Sequence, residues 1–188
     1  MTAAILATPD SLRVPIWVVV ERRPGVTRWA EEVWRVVDTV EEAPPGLAPW
    51  TTLREEGPGG RTLYLAGPVE VAFHPSDTAN VKHNLEGPDP RVWVVLRPAA
   101  AADAPPGMRL HAATADGAEA QLYAEVGVGG DLLESLPMPP GLRATAEAYV
   151  AQHHRERGHH KRKRDRADPE ALAARRPGGP DGDEGGGA

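Results

Sequence analysis

From Val14 to Glu21 the chain reads VPIWVVVE, a near-continuous apolar series rich in β-branched and aromatic side chains, closed by Arg22-Arg23-Pro24-Gly25. Such a run predicts a strand buried on both faces and ended by a turn. RVWVVLRP, from Arg91 to Pro98, has the same character and predicts a second central strand lying beside the first. Between them the pattern is mixed. Trp29, Val33, Val36, Val37 and Val40 recur at helical spacing, but the β-branched content favours a strand over the second half of that segment. Thr51 to His74 reads as two hairpins in succession, turning at Gly57-Pro58-Gly59-Gly60 and at Gly67-Pro68. In the last of these segments Val69, Val71 and Phe73 share one face, with Glu70, Ala72 and His74 on the other.

Helices are signalled more sparsely. Ser76 is placed to cap a short helix carrying Val81 and Leu85 four residues apart, stopped at Gly87-Pro88. A surface loop at 99–107 leads to the alternating strand MRLHAAT. Asp116 with Glu119 then forms a capping-box arrangement for a second helix whose stripe is Leu122 and Val126. The stretch DLLESLPMPPGL predicts an edge strand that leaves the sheet at its prolines. Leu142, Ala146, Tyr149, Val150 and His153 mark one side of a third helix, with Pro140 near its start and Gly158 just past its end. The sum is an α+β fold, a mostly antiparallel sheet of about six or seven strands with about three helices. It spans residues 13–157, between a disordered N-terminus, 1–12, and a basic then acidic, Gly-rich tail, 158–188, whose end has almost no apolar surface to offset ordering entropy.

Charge changes this picture because it is segregated. Residues 1–152 carry 12 Lys and Arg against 20 Asp and Glu, a net of −8; residues 153–176 carry 9 against 4, a net of +5; the last twelve carry none against 3. An acidic body therefore bears a basic arm, which is more often a solvated interaction segment than packed structure. Cysteine is absent, which excludes a thiolate nucleophile, a persulfide carrier and cysteine-held iron–sulfur or zinc sites. No signal-like leader and no long apolar run is present, so the expected location is cytoplasmic.

Four of seven histidines stand in the pairs His153-His154 and His159-His160. Imidazole binds Zn, Ni and Cu, but adjacent helical residues point about 100° apart and no carboxylate pattern completes a ligand set. No metal and no cofactor is therefore assigned. His153 falls on the apolar side near a helix end, where a packed histidine is the usual occupant. Lys161, Arg162, Lys163, Arg164 and Arg166 would attract any polyanion through counterion release. Specific nucleic-acid recognition is disfavoured, because no aromatic residue follows Tyr149 to stack bases and the body is acidic. Arg22, Arg23, Arg28, Trp29, Trp34 and Arg35 interleave the two residue types most enriched at interface hot spots, against the plainer reading of core tryptophans with solvated arginines.

Nothing resembling a catalytic constellation emerges. Ser76, His74 and Asp77 lack a nucleophile elbow, and the Gly57–Gly60 turn has no Lys-Ser/Thr after it and no strand-to-helix context. The carboxylate pairs Glu31-Glu32, Glu41-Glu42 and Glu55-Glu56 are adjacent in sequence and read as surface.

The segments VVVERRPGVTRWAEEVWR, FHPSDTANVKHNLEGPDPRVWVVLRP, LPMPPGL and HHKRKRDRADP, in that order, resemble a bacterial family called domain of unknown function 3305, over about residues 14 to 169. Its members are commonly encoded beside formate dehydrogenase and molybdenum-cofactor genes. The resemblance carries over no catalytic residue; it implies a cytoplasmic accessory to formate dehydrogenase maturation or assembly. Relatives are sometimes labelled molybdenum-cofactor guanylyltransferases, which resemble nucleotidyltransferases with a Gly-rich loop after the first strand, whereas this chain offers only Gly25 there. Sulfuration of the cofactor would need a cysteine. The reading that results is a non-enzymatic protein whose basic arm docks on an acidic surface of formate dehydrogenase subunits or their maturation factors, with the Trp/Arg segment as a second contact. The alternatives are a nucleotide-binding enzyme of molybdenum-cofactor biosynthesis and a nucleic-acid binder using the arm.

Overall fold

The structure, a computed structural model, describes residues 10–26, 32–57, 59–99, 107–127 and 129–155. The chain divides into two units, Met1–Glu156 and Arg157–Ala188, and every described residue lies in the first. Seven strands and three helices follow in the order β1 (Leu12–Pro24), β2 (Glu32–Val40), β3 (Thr51–Glu55), β4 (Thr62–Phe73), α1 (Thr78–Leu85), β5 (Arg91–Pro98), β6 (Met108–Thr114), α2 (Gly117–Val126), β7 (Leu132–Pro137) and α3 (Pro140–His153). The α+β class and the mostly antiparallel sheet expected from the pattern are what is found. No helix among the described residues is long and apolar enough to cross a membrane.

One sheet runs β2-β1-β4-β6-β5-β7, with β3 also on β4. Every pairing is antiparallel except β4 with β6, which meet in parallel at Val71 and Ala113. One edge of β4 is thus shared: Thr62 to Leu65 bond β3, and the far end meets β6. β2 and β7 stand at opposite ends of this order yet touch, with Arg35 Nε 3.7 Å from Glu134. The sheet is therefore strongly curled, as accumulated strand twist allows. Inside the curl lie Ile16, Val18, Val20, Val36, Tyr64, Val71, Phe73, Val92, Val94 and Leu96, with Leu142, Ala146 and Tyr149 of α3 closing one side.

Two expectations about strands are corrected. Gly67-Pro68 is not a second hairpin: the bond is cis, and β4 continues through it as one twelve-residue strand. Opposite it β1 carries a register shift between Ile16 and Val18, so the irregularity is absorbed as a bulge rather than a reversal. β5 does not lie beside β1 either; β4 and β6 separate them, because the parallel β4–β6 bridge brings in β6 with β5 on its far edge. In β2 the extra residue of a second shift is Val37, which is left exposed.

Helix ends also differ in detail. Asp77, not Ser76, is the N-cap position of α1, and Ser76 Oγ donates to the Asp77 carboxylate at 2.6 Å. α3 stops at His153, five residues short of Gly158, which lies outside the described residues. Its N-terminus is closed from a distance: Leu142 N–H donates to Glu41 Oε1 at 2.9 Å, setting a carboxylate where exposed amides favour negative charge. A Cβ on Gly141 would lie 2.5 Å from that oxygen, so a larger residue there would push the Glu41 carboxylate aside. Glu41 is thus a structural carboxylate at the join of β2 and α3. At the N-terminal boundary β1 starts at Leu12, and the Asp10 carbonyl accepts from Tyr149 Oη at 2.7 Å, so residues 10–12 belong to the folded body rather than to a disordered leader.

Candidate functional site

The Trp/Arg segment separates into parts with different fates. Strand alternation puts Trp34 inward opposite Arg22, and Val33 and Arg35 outward opposite Arg23 and Glu21. Trp34 is 9% exposed and stacks on Tyr64 with centroids 6.0 Å apart, so it belongs to the core and not to an exposed patch. The reason is the period of two: with Val36 already committed inward, Trp34 must follow it. Arg22 is half-buried and 3.4 Å from Glu32. Arg23 and Arg35 are exposed, held only by contacts of 3.9 Å to Glu21 and 3.7 Å to Glu134. Pairs so long at the surface contribute little, which leaves both guanidinium groups available. Glu21 itself is buried and takes a shorter bond, 2.5 Å, from Arg61 Nε. Arg28, Trp29, Lys161, Arg162, Lys163, Arg164 and Arg166 lie outside the described residues.

The histidine pair at the end of α3 resolves toward packing. His153 stacks on Tyr149 at 4.4 Å, and His154 Nδ1 lies 3.3 Å from Thr78 Oγ1 at the start of α1. Among the described residues no three His, Asp or Glu side chains gather as a metal site would require.

A polar network that sequence reading did not anticipate lies where α2 crosses the outer face of β5 and β6. Asp116, the α2 cap, accepts from the Ala118 and Glu119 amides, at 2.7 and 3.3 Å, and from Asn80 Nδ2 at 3.0 Å. Thr114 Oγ1 accepts from the Asp116 amide and donates to Glu119 Oε2 at 2.6 Å; Tyr123 Oη reaches Glu119 Oε1 at 3.5 Å. His111 stands edge-on to Tyr123 with centroids 6.1 Å apart. The capping-box pair is therefore real but extended, since Glu119 is held by Thr114 rather than reaching back to the cap amide. Of these groups His111, Glu119 and Tyr123 border an open cleft of about 390 Å³ between β4 and β6, with Arg13, Val69 and Glu70 on the other wall. Arg13 Nη1 donates to Glu70 at 2.8 Å.

Burial lowers the His111 pKa, and the nearby Arg97 and Arg109 lower it further against the opposing pull of Asp131; burial and then Glu119 raise that of Tyr123. At neutral pH the cleft therefore offers a neutral imidazole and an intact phenol, fit for hydrogen bonding. A ring-proton titration by NMR is expected to place the His111 midpoint below 6.5, and Arg109→Gln to move it back up toward that value. Because the folded value is the depressed one, the linked stability is complete above about 6.5 and is lost as pH falls through the lowered midpoint. A midpoint at or above 6.5 would contradict this environment.

Compared with known protein families, the chain matches the family model described as "Protein of unknown function (DUF3305)" over residues 15–164. It belongs to that family. The match takes in every described strand and helix, starting within β1, and therefore the Arg23/Arg35 face and the α2 network alike. No curated protein and no solved structure matches the chain.

Proposed function

We propose that this DUF3305 protein is a non-enzymatic accessory protein that works in the cytoplasm by docking on protein clients, and that the clients serve formate dehydrogenase or other molybdenum-cofactor enzymes. The docking half of this reading is carried by one observation, the separation of a −8 body from a +5 segment at 153–176. Segregated charge steers association with a complementary surface and sets its rate. Arg23 and Arg35, exposed beside Val37 on the outward side of β1 and β2, add a second cationic contact of the kind hot spots use. The choice of client rests on the family resemblance and the genes its members accompany.

Replacing Lys161, Arg162, Lys163 and Arg164 together by Gln is expected to weaken client binding roughly tenfold at low salt, and less at high salt, with the melting temperature unchanged. Surface plasmon resonance against purified formate dehydrogenase subunits, with calorimetry alongside, measures both. Loss of stability with unchanged binding would show that these side chains serve the fold instead.

A further inference from the structure

On the other side of α2 from His111 lies a second cleft, about 480 Å³, between the second half of α1, the first turns of α2 and the start of β5. Its size falls within the range of small-molecule sites. One wall is the indole of Trp93, on the outer face of a central strand between β6 and β7 and only partly buried. That position is unusual: an interior strand of this sheet spends its largest side chain outside the core, where Val92 and Val94 already fill the inner face. Gly117 fits against the ring, since a Cβ there would lie 3.4 Å from the indole.

The polar groups around Trp93 limit what the cleft can hold. Arg91 donates from all three of its side-chain nitrogens to Asp89 and Ser135, and Asn84 is engaged by the Arg91 amide and carbonyl and the Ala115 carbonyl. The α2 N-terminus, which borders the cleft, is closed by Asp116 and offers no anion site. What remains is side-chain hydrogen-bonding capacity: the exposed His83 ring, which has no partner among the described residues, the Gln121 carbonyl, and the part of the Asn80 amide not used on Asp116.

We infer that this cleft binds a flat nitrogen heterocycle of the nucleobase class, stacked on Trp93 and read along its edge by His83, Gln121 and Asn80. Stacking on an aromatic side chain suits any such ring, and edge bonds to amides and imidazole set preference among them. Because the one Lys or Arg among the described residues that line the cleft, Arg91, is paired with Asp89, recognition stops at the ring: a phosphate adds nothing, and binding is insensitive to salt. This sets it apart from the basic segment, whose charge attracts any polyanion less strongly as salt rises.

The test is isothermal titration of the full chain with adenosine and guanosine, nucleosides without phosphate, at low and high salt. One of them is expected to bind saturably, with one site and equal affinity at both salts. His83→Ala and Gln121→Ala are each expected to weaken it about threefold to tenfold, the range one neutral hydrogen bond carries. Ala118→Leu, an exposed helical substitution that crowds the cleft without touching the core, is expected to abolish binding at an unchanged melting temperature. No binding of either nucleoside at millimolar concentration would overturn the inference. So would binding that survives Ala118→Leu, or adenosine 5′-monophosphate bound tenfold more tightly than adenosine.

Discussion

Phe73→Ala is expected to destabilise the body by about 3–5 kcal/mol, the range for removing a fully buried aromatic ring. Phe73 is 1% exposed and is the only phenylalanine in the chain. It ends β4 at the point where that strand turns toward α1, and its ring lies 5.6 Å from that of Tyr149 on α3. The lost side chain therefore separates the sheet from the helix that closes it, and the neighbours are strands fixed by ladders on both sides, so collapse into the space is limited. For a domain of this size the melting temperature should fall by about 6–20 °C. Tyr149→Phe supplies the control, since it keeps the ring contact and removes only the bond to the Asp10 carbonyl. A loss below about 1 kcal/mol for Phe73→Ala would contradict the assigned packing of α3 on the sheet.

Gly67→Ala is expected to cost about 3 kcal/mol, large for the addition of one methyl group. Gly67 has φ +133°, a region that L side chains rarely occupy. A Cβ there would also sit 3.2 Å from the Ile16 carbonyl oxygen and the Trp17 Cα, and 3.3 Å from the Trp17 ring. Backbone cannot move aside as a flexible side chain would. Pairing the substitution with Trp17→Ala in a double-mutant cycle relieves the ring contact alone, so only a minor part of the loss should return. Full recovery would mean that the indole, not the β1 backbone, is what requires glycine.

Both positions bear on what could be read from the chain. Phe73 was legible because the large apolar residues Val69, Val71 and Phe73 alternate with Glu70, Ala72 and His74, and period two is a strong signal wherever one face is buried. The same alternation placed β6 to the residue, and the continuous apolar run of RVWVVLRP placed β5. Gly67-Pro68 was not legible, since glycine followed by proline marks a turn far more often than a bulge inside a strand, and only the partner strand decides between them. Strand order failed for a related reason: β1 and β5 share a composition, but composition does not say which edges meet. On α2 the spacing of Leu122 and Val126 pointed to a buried stripe, yet both are exposed, at 59% and 76%, and Ala120 is the residue packed on the sheet. A small residue lets the helix approach closely, and a single alanine contact leaves no helical stripe to read.

The candidate sites show the same division. The exposed arginines were identified by residue type, and alternation then removed Trp34 from their company. His111, Glu119 and Tyr123 are near in sequence, but their cleft takes its other wall from β1 and β4, and the cleft at Trp93 is assembled from α1, β5 and α2, so no local window contains either cleft. Trp93 looked like core because its strand is central, and the sequence carries no mark that its odd-numbered face is covered only in part.

The proposed action of this protein is to hold clients through its basic segment. Its most direct test is affinity capture from the native host grown under conditions that induce formate dehydrogenase, using an N-terminal tag on the full chain and on a chain ending at Arg157. Recovery of dehydrogenase subunits or their maturation factors by the full chain, and their absence with the shortened one, is the predicted result. Recovery of no such protein by either form, with both correctly folded, would contradict it.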